Sequence, residues 1–246
     1  MSSFNSEYSQ LYDEIHANKN YTYDIEKLLS LIEVIPNLPE RPQILDFGCG
    51  TGKHLKVLSS LGFEVQGYDP SEFMLLKAQT SFPEIPFTGD LQALAANYDV
   101  VTSLFDVMSY QVTDESISLF LDQIFSKVKR NGVIILDFWN LDGVRRDPPQ
   151  NRSRVFEAFG TEYERIVSPT FDKHSGVTEL EIKIKNVTTS AVVYVDNHTI
   201  RAFDSKEIEG MVGSRGKVVS MFDASDYKTG VTEITWRVVV IIRPVL

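Results

Sequence analysis

The chain has 246 residues, 43% hydrophobic and 24% charged, which suits one large globular domain or a domain with a small appendage. Its formal net charge of -10 argues against nucleic acid or an anionic membrane as the main partner, since both need a basic face. The single cysteine, Cys49, excludes an intrachain disulfide, and a cytoplasmic location is expected.

Met1 to Asn5 show no charged-then-apolar signal pattern. Residues 6–35 read as helical, with Ile25, Leu28, Leu29 and Ile32 on one apolar face and a polar break at Ala17-Asn18-Lys19-Asn20. Three prolines between Pro36 and Pro42 stop the helix. Strand and helix patterns then alternate: strand 43–47, helix 52–61, strand 63–68, helix 71–80, a short strand near 85–88, strand 98–104 and helix 114–129. Gly132 introduces the apolar strand 133–138. Such alternation predicts an α/β fold, a Rossmann-like, mostly parallel sheet with helices on both faces and right-handed crossovers.

The pattern changes after Trp139. Residues 154–201 alternate with period two and are rich in β-branched side chains, as antiparallel hairpins with one wet face require. Asp172-Lys173-His174-Ser175-Gly176 reads as a turn, with His174 simply exposed. Residues 145–201 are therefore expected to form an antiparallel β appendage to a core made of 1–144 and 202–246. A helix near 204–213 and strands 217–222 and 235–243 rejoin the main sheet. No run approaches the ~18 apolar residues of a membrane span.

The chemistry gathers where strands end. Asp46-Phe47-Gly48-Cys49-Gly50-Thr51-Gly52 closes the first strand with glycine at alternate positions, which allows a sharp turn and close approach of a ligand. The dinucleotide fingerprint G-x-G-x-x-G would need glycine where Lys53 stands. Cys49 reads as a small residue filling the turn, not as a nucleophile. Asp69 lies 17 residues past Gly52 at the end of the second strand, where an acid can accept ribose hydroxyls. Gly89-Asp90-Leu91 follows the third strand, and Ser103 to Tyr110 run off the fourth toward the same crevice.

These four pieces, in this order, resemble the cofactor site of class I S-adenosylmethionine (SAM) methyltransferases, over roughly residues 40–140. A narrower set is similar to nucleotide-linked amino-sugar N-methyltransferases and to methyltransferases of surface-polysaccharide pathways. It comprises Tyr12-Asp13-Glu14-Ile15-His16 with Tyr21, Leu104 to Tyr110, and Asp137-Phe138-Trp139. The resemblance implies a seven-stranded core sheet with antiparallel strands inserted after the fifth, and SAM as cofactor, released as S-adenosylhomocysteine. It implies Asp46, Gly48, Cys49 and Gly50 at the methionine end and Asp69, Pro70 and Met74 around the ribose. Asp90 and Leu91 would meet the adenine, Leu104 and Phe105 would line the pocket, and Tyr12 and Tyr21 would close over it. His16 and Tyr110 match positions that line the methyl-transfer site. Asp106 departs from the amino-sugar pattern and is a candidate base or substrate-amine ligand.

Each reading has a plainer rival: a strand-end cap for Asp46, a turn residue for Asp90, an exposed histidine for His16, a packed aromatic for Tyr110. His198 reads first as a satisfied strand histidine with a possible substrate-facing role, and His54 as structural. Asp147-Pro148-Pro149-Gln150 imitates the acid-Pro-Pro-aromatic motif of nucleic-acid amino methyltransferases, but it follows the wrong strand and ends in Gln. No metal-ligand spacing is visible. The expected activity is methyl transfer to an N or O atom of a small-molecule acceptor, above all a nucleotide-linked sugar, with the appendage shaping the acceptor site or a homodimer surface. Arg145, Arg146, Arg152 and Arg154 are candidates for holding an anionic acceptor. A non-catalytic SAM-binding regulatory protein and an NAD-linked oxidoreductase are the alternatives.

Overall fold

The computed structural model describes residues 6–245; the expectation for residues 1–5 lies outside them. Two helices open the chain, α1 (Ser6–Ile15) and α2 (Tyr21–Val34). The polar break between them supplies a helix cap: the Asn20 side chain accepts a hydrogen bond from Tyr23 N at 3.0 Å. Then come β1 (Ile44–Phe47), α3 (Lys53–Ser60), β2 (Val65–Tyr68), α4 (Glu72–Ser81), β3 (Phe87–Thr88) and β4 (Tyr98–Ser103). These are followed by α5 (Asp114–Phe125), β5 (Val128–Trp139) and α6 (Leu141–Arg146). An antiparallel run, β6 (Arg152–Ala158), β7 (Thr161–Phe171), β8 (Val177–Asn186) and β9 (Val192–Arg201), precedes α7 (Ile208–Val212), β10 (Gly216–Asp223) and β11 (Arg237–Pro244).

The main sheet has the order β10-β11-β5-β4-β1-β2-β3, and β11 runs antiparallel to both neighbours. Alternation along its strands sorts the side chains into two layers. Ile134, Leu136 and Phe138 of β5 pack with Ile117, Phe120, Leu121 and Ile124 of α5. Val133 and Ile135 pack on the opposite face with Ile25 and Leu28 of α2 and Leu55 and Leu58 of α3. Both faces are thus covered, which is why the central strands read as continuous apolar runs.

The second sheet, β6-β7-β8-β9, is a simple antiparallel meander. Part of its inner face packs on α1, where Tyr8, Leu11 and Ile15 meet Phe156, Ala158, Ile182, Ile184 and Tyr194, and part packs on Trp139 at the end of β5, through Leu180 and Ile200. Helix α1 therefore lies between the second sheet and the carboxyl ends of the parallel strands.

Several boundaries differ from the periodicity. Helix α5 stops at Phe125, short of 129, and β5 begins at Val128, so Gly132 lies inside a strand. A side chain at Gly132 would meet the Asp99 carbonyl at 2.6 Å, so glycine there permits a close strand crossing beside an irregularity in β4. The expected helix 204–213 shrinks to α7 and a 3₁₀ turn at Gly213–Arg215. Helix α6 was not expected, and it puts Arg145 and Arg146 in a helical last turn instead of a loop.

The glycine loop after β1 rests on β2. Gly48 N and Cys49 N both donate to the Tyr68 carbonyl, at 2.7 and 2.9 Å. Beneath the loop, a methyl group at Gly67 would meet Phe87 at 2.5 Å and Cys49 Sγ and Leu55 at 2.8 Å. Substituting Gly67→Ala should therefore destabilise the fold by about 1–3 kcal/mol through overpacking. Chemical unfolding measures this; an unchanged midpoint would show that the loop does not bear on β2.

Candidate active site

At the end of β1, the buried Asp46 carboxylate accepts a hydrogen bond from Thr102 Oγ1 at 2.9 Å, pinning β1 to β4. Gly48 turns at φ 89°, and a side chain there would meet Val107 at 2.7 Å, so only glycine fits. At the end of β2, Asp69 is buried. Gly50 N donates to its Oδ2 at 2.9 Å and Ser71 N to its Oδ1 at 2.8 Å. Burial lifts its carboxyl to about 6 against the pull of those two N–H groups. A carboxylate has about four acceptor sites, and the two N–H groups leave capacity on each oxygen.

A cavity of about 480 Å³ opens over this loop. One end is formed by Gly48, Cys49, Gly50, Asp69, Pro70 and Met74. Tyr12, His16 and Tyr21 of the N-terminal helices and Leu104, Phe105, Asp106 and Tyr110 of the loop after β4 line the middle. The far end belongs to the second sheet, through Arg165, Leu180, Ile182, His198 and Ile200. Of the residues singled out in the sequence, Asp46, Asp90 and Leu91 do not line the cavity. Asp90 is exposed and caps the short turn Leu91–Ala93, accepting from Gln92 N at 2.8 Å, while Leu91 packs on the core. Cys49 is packed against the loop, and burial pushes its thiol well up, which keeps it protonated.

The roof is tied to the loop by polar contacts. Thr51 Oγ1 donates to Asp13 at 2.7 Å, and Lys77 of α4 lies 3.4 Å from the same carboxylate. Lys77 also donates to the carbonyls of Ser9 and Gln10. His54 lies 3.4 Å from Asp24 and 5.0 Å, ring to ring, from Tyr21; it bridges α3 to α2 and also borders the cavity.

The wall after β4 is held in an uncommon conformation. Phe105 and Asp106 both have positive φ, 70° and 68°. The buried Asp137 side chain at the end of β5 accounts for it, accepting from Phe105 N at 3.0 Å and Asp106 N at 2.7 Å. Burial and the neighbouring Asp106 charge raise Asp137 to about 6, opposed by Arg237, which lies 3.9 Å away and 3.4 Å from Asp106. Asp106 is thus engaged in an ion pair at the cavity wall. Lys19 sits 3.4 Å above the Phe105 ring.

The His16 ring lies 4.6 Å from that of Tyr12, tilted by 50°, and meets the edge of Phe105 at 5.6 Å. Burial, with the charges of Arg165, Lys19 and Arg154, lowers it to about 4, so it is neutral at ordinary pH. Tyr110 and His198 meet: Tyr110 Oη is 2.9 Å from His198 Nδ1.

The sequence reading underweighted the far wall. The arginines 145, 146, 152 and 154 do not line the cavity; Arg146 pairs with Glu233 at 2.9 Å, and Arg145 donates to the Lys173 carbonyl. Arg165 lines it instead, with a buried Nε that has no hydrogen-bond partner among the described residues. Tyr8 and His198 join it there, and Lys19 lines the middle. Of these His198 was singled out in the sequence as able to face a substrate; for Arg165 only the period-two alternation gave a hint, and alternation does not say which face turns inward.

The cofactor-sized end fits SAM. The space over Gly50 is open, since a side chain there would meet nothing within 4 Å, and Asp69 offers acceptor capacity beside an apolar shelf at Met74. Residues 17–173 match the family described as methyltransferase domain. Among curated relatives, the dTDP-3-amino-3,6-dideoxy-alpha-D-glucopyranose N,N-dimethyltransferase of Streptomyces fradiae is 23% identical over 209 residues, 84% of this chain and 82% of that one. Two solved structures share the fold over almost the whole chain. DesVI of Streptomyces venezuelae has a TM-score of 0.74 at 20% identity, covering 98% of this chain and 100% of that one. SAM-bound CalS10, an amino pentose methyltransferase from Micromonospora echinaspora, has a TM-score of 0.69 at 18% identity, covering 98% of each. The chain belongs to the methyltransferase-domain family, as a class I enzyme that uses S-adenosylmethionine.

Proposed function

We propose that the enzyme methylates an N or O atom of a nucleotide-linked sugar. The observation that carries this reading is the charge of the far end of the cavity. In a chain of net charge -10, Arg165 lines that end, while Lys19, 3.5 Å from Asp24, lines the middle over the Phe105 ring, and both charges help to depress His16. Such a pocket suits an anionic acceptor such as a sugar diphosphate. The relatives named above include a dTDP-amino-sugar dimethyltransferase, which is consistent with it.

On this reading the chain's residues divide by end. Asp69 accepts the ribose hydroxyls, and the loop of Gly48, Cys49 and Gly50 faces the methionine end. Pro70 and Met74 pack on the nucleoside, Leu104 and Phe105 form a wall, and Tyr12 and Tyr21 close from above. Asp90 and Leu91 would meet the adenine outside the enclosed cavity. Asp46 acts at one remove, by fixing the loop. When bound, SAM supplies an activated methyl on a sulfonium that departs as a neutral thioether. The residues around Tyr110, His16 and Asp106 then orient the acceptor and exclude water, which supplies much of the rate enhancement in such a displacement.

Release of S-adenosylhomocysteine with dTDP-linked amino- and hydroxy-sugars, against the same sugars without nucleotide, tests the acceptor class. The nucleotide-linked forms should turn over with the lower KM; turnover of none of them would overturn the reading. Arg165→Ala should raise the acceptor KM about 10- to 100-fold, the worth of one charged hydrogen bond, with cofactor affinity unchanged.

The Asp69 assignment has a pH signature. Ribose hydroxyls donate to the ionised carboxylate, so binding favours the deprotonated form. Affinity is full above pH 6 and falls as pH drops through it, by up to about tenfold per unit. Calorimetry with S-adenosylhomocysteine between pH 5 and 7.5 should show this slope in the wild type. In Asp69→Asn it should flatten, with weaker binding throughout; an undiminished slope would assign it elsewhere.

A further inference from the structure

We infer that Tyr110, His198 and Asp196 form a proton relay that takes the proton from the methyl acceptor. The inference rests on the reading of the far end as the acceptor site and adds to it the group that disposes of the proton.

Three side chains from two elements meet here. Tyr110 lies in the short turn after β4, and His198 and Asp196 stand two residues apart on β9, so their side chains share one face. Tyr110 Oη is 2.9 Å from His198 Nδ1, and His198 Nε2 is 3.6 Å from Asp196 Oδ2. Asp196 is itself fixed: Tyr194 Oη donates to Oδ2 at 2.7 Å, and Asn197 N donates to Oδ1 at 2.8 Å. His198 is buried, yet both it and Tyr110 line the cavity.

The chemistry of the three groups sets the direction. At 3.6 Å Asp196 is beyond hydrogen-bond distance of Nε2, but its negative charge favours the tautomer that carries the proton there. Nδ1 then carries the lone pair and accepts, which makes Tyr110 the donor. A phenol oxygen that donates its proton keeps acceptor capacity, and Tyr110 lines the cavity. An acceptor hydroxyl donates to it as it attacks, whereas an acceptor ammonium gives up its proton first and attacks as the neutral amine.

The step balances as follows. The acceptor atom forms a bond to the methyl carbon as the sulfur–carbon bond breaks, with the electron pair left on sulfur as the thioether. The acceptor's proton passes to Tyr110 Oη while the Tyr110 proton passes to His198 Nδ1, leaving an imidazolium beside Asp196. Burial raises Tyr110, so a standing phenolate is avoided and the tyrosine only conducts. Among the described residues, Tyr8 from α1, Tyr110, Arg165 from β7, apolar Leu180 from β8 and Asp196 face His198. Burial and Arg165 lower its basicity and Asp196 raises it, the net being downward, so the imidazole is neutral and ready to accept.

Two experiments decide the relay. Imidazole ¹⁵N spectra at pH 7.5, with the His198 signal identified by its loss in His198→Gln, should show the Nε2–H tautomer and an accepting Nδ1. An Nδ1–H tautomer would overturn the inference. Turnover of a dTDP-linked 3-amino-3,6-dideoxyhexose and of its 3-hydroxy counterpart then separates ammonium from hydroxyl acceptors. With either, His198→Gln and Tyr110→Phe should each lower kcat about 100-fold, the size of a general-base contribution. The double variant should be no worse than the singles, as for residues acting as one unit. Retained kcat, or losses that multiply, would overturn the relay. Should the buried His198 variant fail to fold, Asp196→Asn serves: without the carboxylate His198 is a weaker base, so kcat falls and the acid limb of the pH profile moves to lower pH. An unmoved limb counts against the relay. Turnover of neither sugar would refute the acceptor class alone, while the tautomer still decides the relay.

Discussion

The cavity depends on where α1 sits. One side of this helix gives Tyr8, Leu11 and Ile15 to the second sheet, and another gives Asp13 to Thr51 of the glycine loop. A ten-residue helix is marginal by itself in water, so this one is helical because it is packed on both sides. Its packing adds to the junction between the two sheets that Trp139 of β5 makes with Leu180 and Ile200, and the space left beneath it is the cavity. Lys77 strengthens the arrangement by bonding two carbonyls of α1 and approaching Asp13.

The opposite wall is built on a different principle. Two consecutive non-glycine residues at positive φ cost of order 1–3 kcal/mol each and persist only where the surroundings demand them. At Phe105 and Asp106 the demand comes from one carboxylate, Asp137, which takes both backbone N–H groups. The turn aims the Phe105 ring into the cavity beneath Lys19 and brings Asp106 to Arg237. The acid noted as a departure from the amino-sugar pattern is therefore half of an ion pair with β11, and its charge is compensated before any acceptor arrives.

The glycine loop, Asp69 and the order of strands and helices were legible because each depends on local sequence: an apolar run, a turn residue, a spacing. The far wall was legible only at His198, named as able to face a substrate. Arg165 and His198 reach the cavity through the antiparallel register that places Leu180 opposite His198, and through the choice of which face of the second sheet turns toward α1. Nothing local encodes that choice. Helix α6 escaped notice for another reason: six residues with a central glycine look like loop. That glycine is required by tertiary packing, since a side chain at Gly143 would meet the Thr235 carbonyl at 2.2 Å. The arginines of that region drew attention through their number, whereas burial selected the single Arg165.

Charge gives the cavity a direction. The buried Asp69 stands at its glycine-loop end with Asp46 behind the loop, Arg165 stands at its far end, and Lys19, 3.5 Å from Asp24 and over the Phe105 ring, lies between them with the neutral His16. Away from bulk water such charges interact more strongly than at the surface. On the proposed reading, a cationic sulfonium is favoured near the acids and an anionic acceptor near Arg165. Transfer removes the sulfonium charge, and with it part of the hold on the cofactor end. On the proposed reading, the same acids that favour binding of the reactant favour departure of the product relative to it.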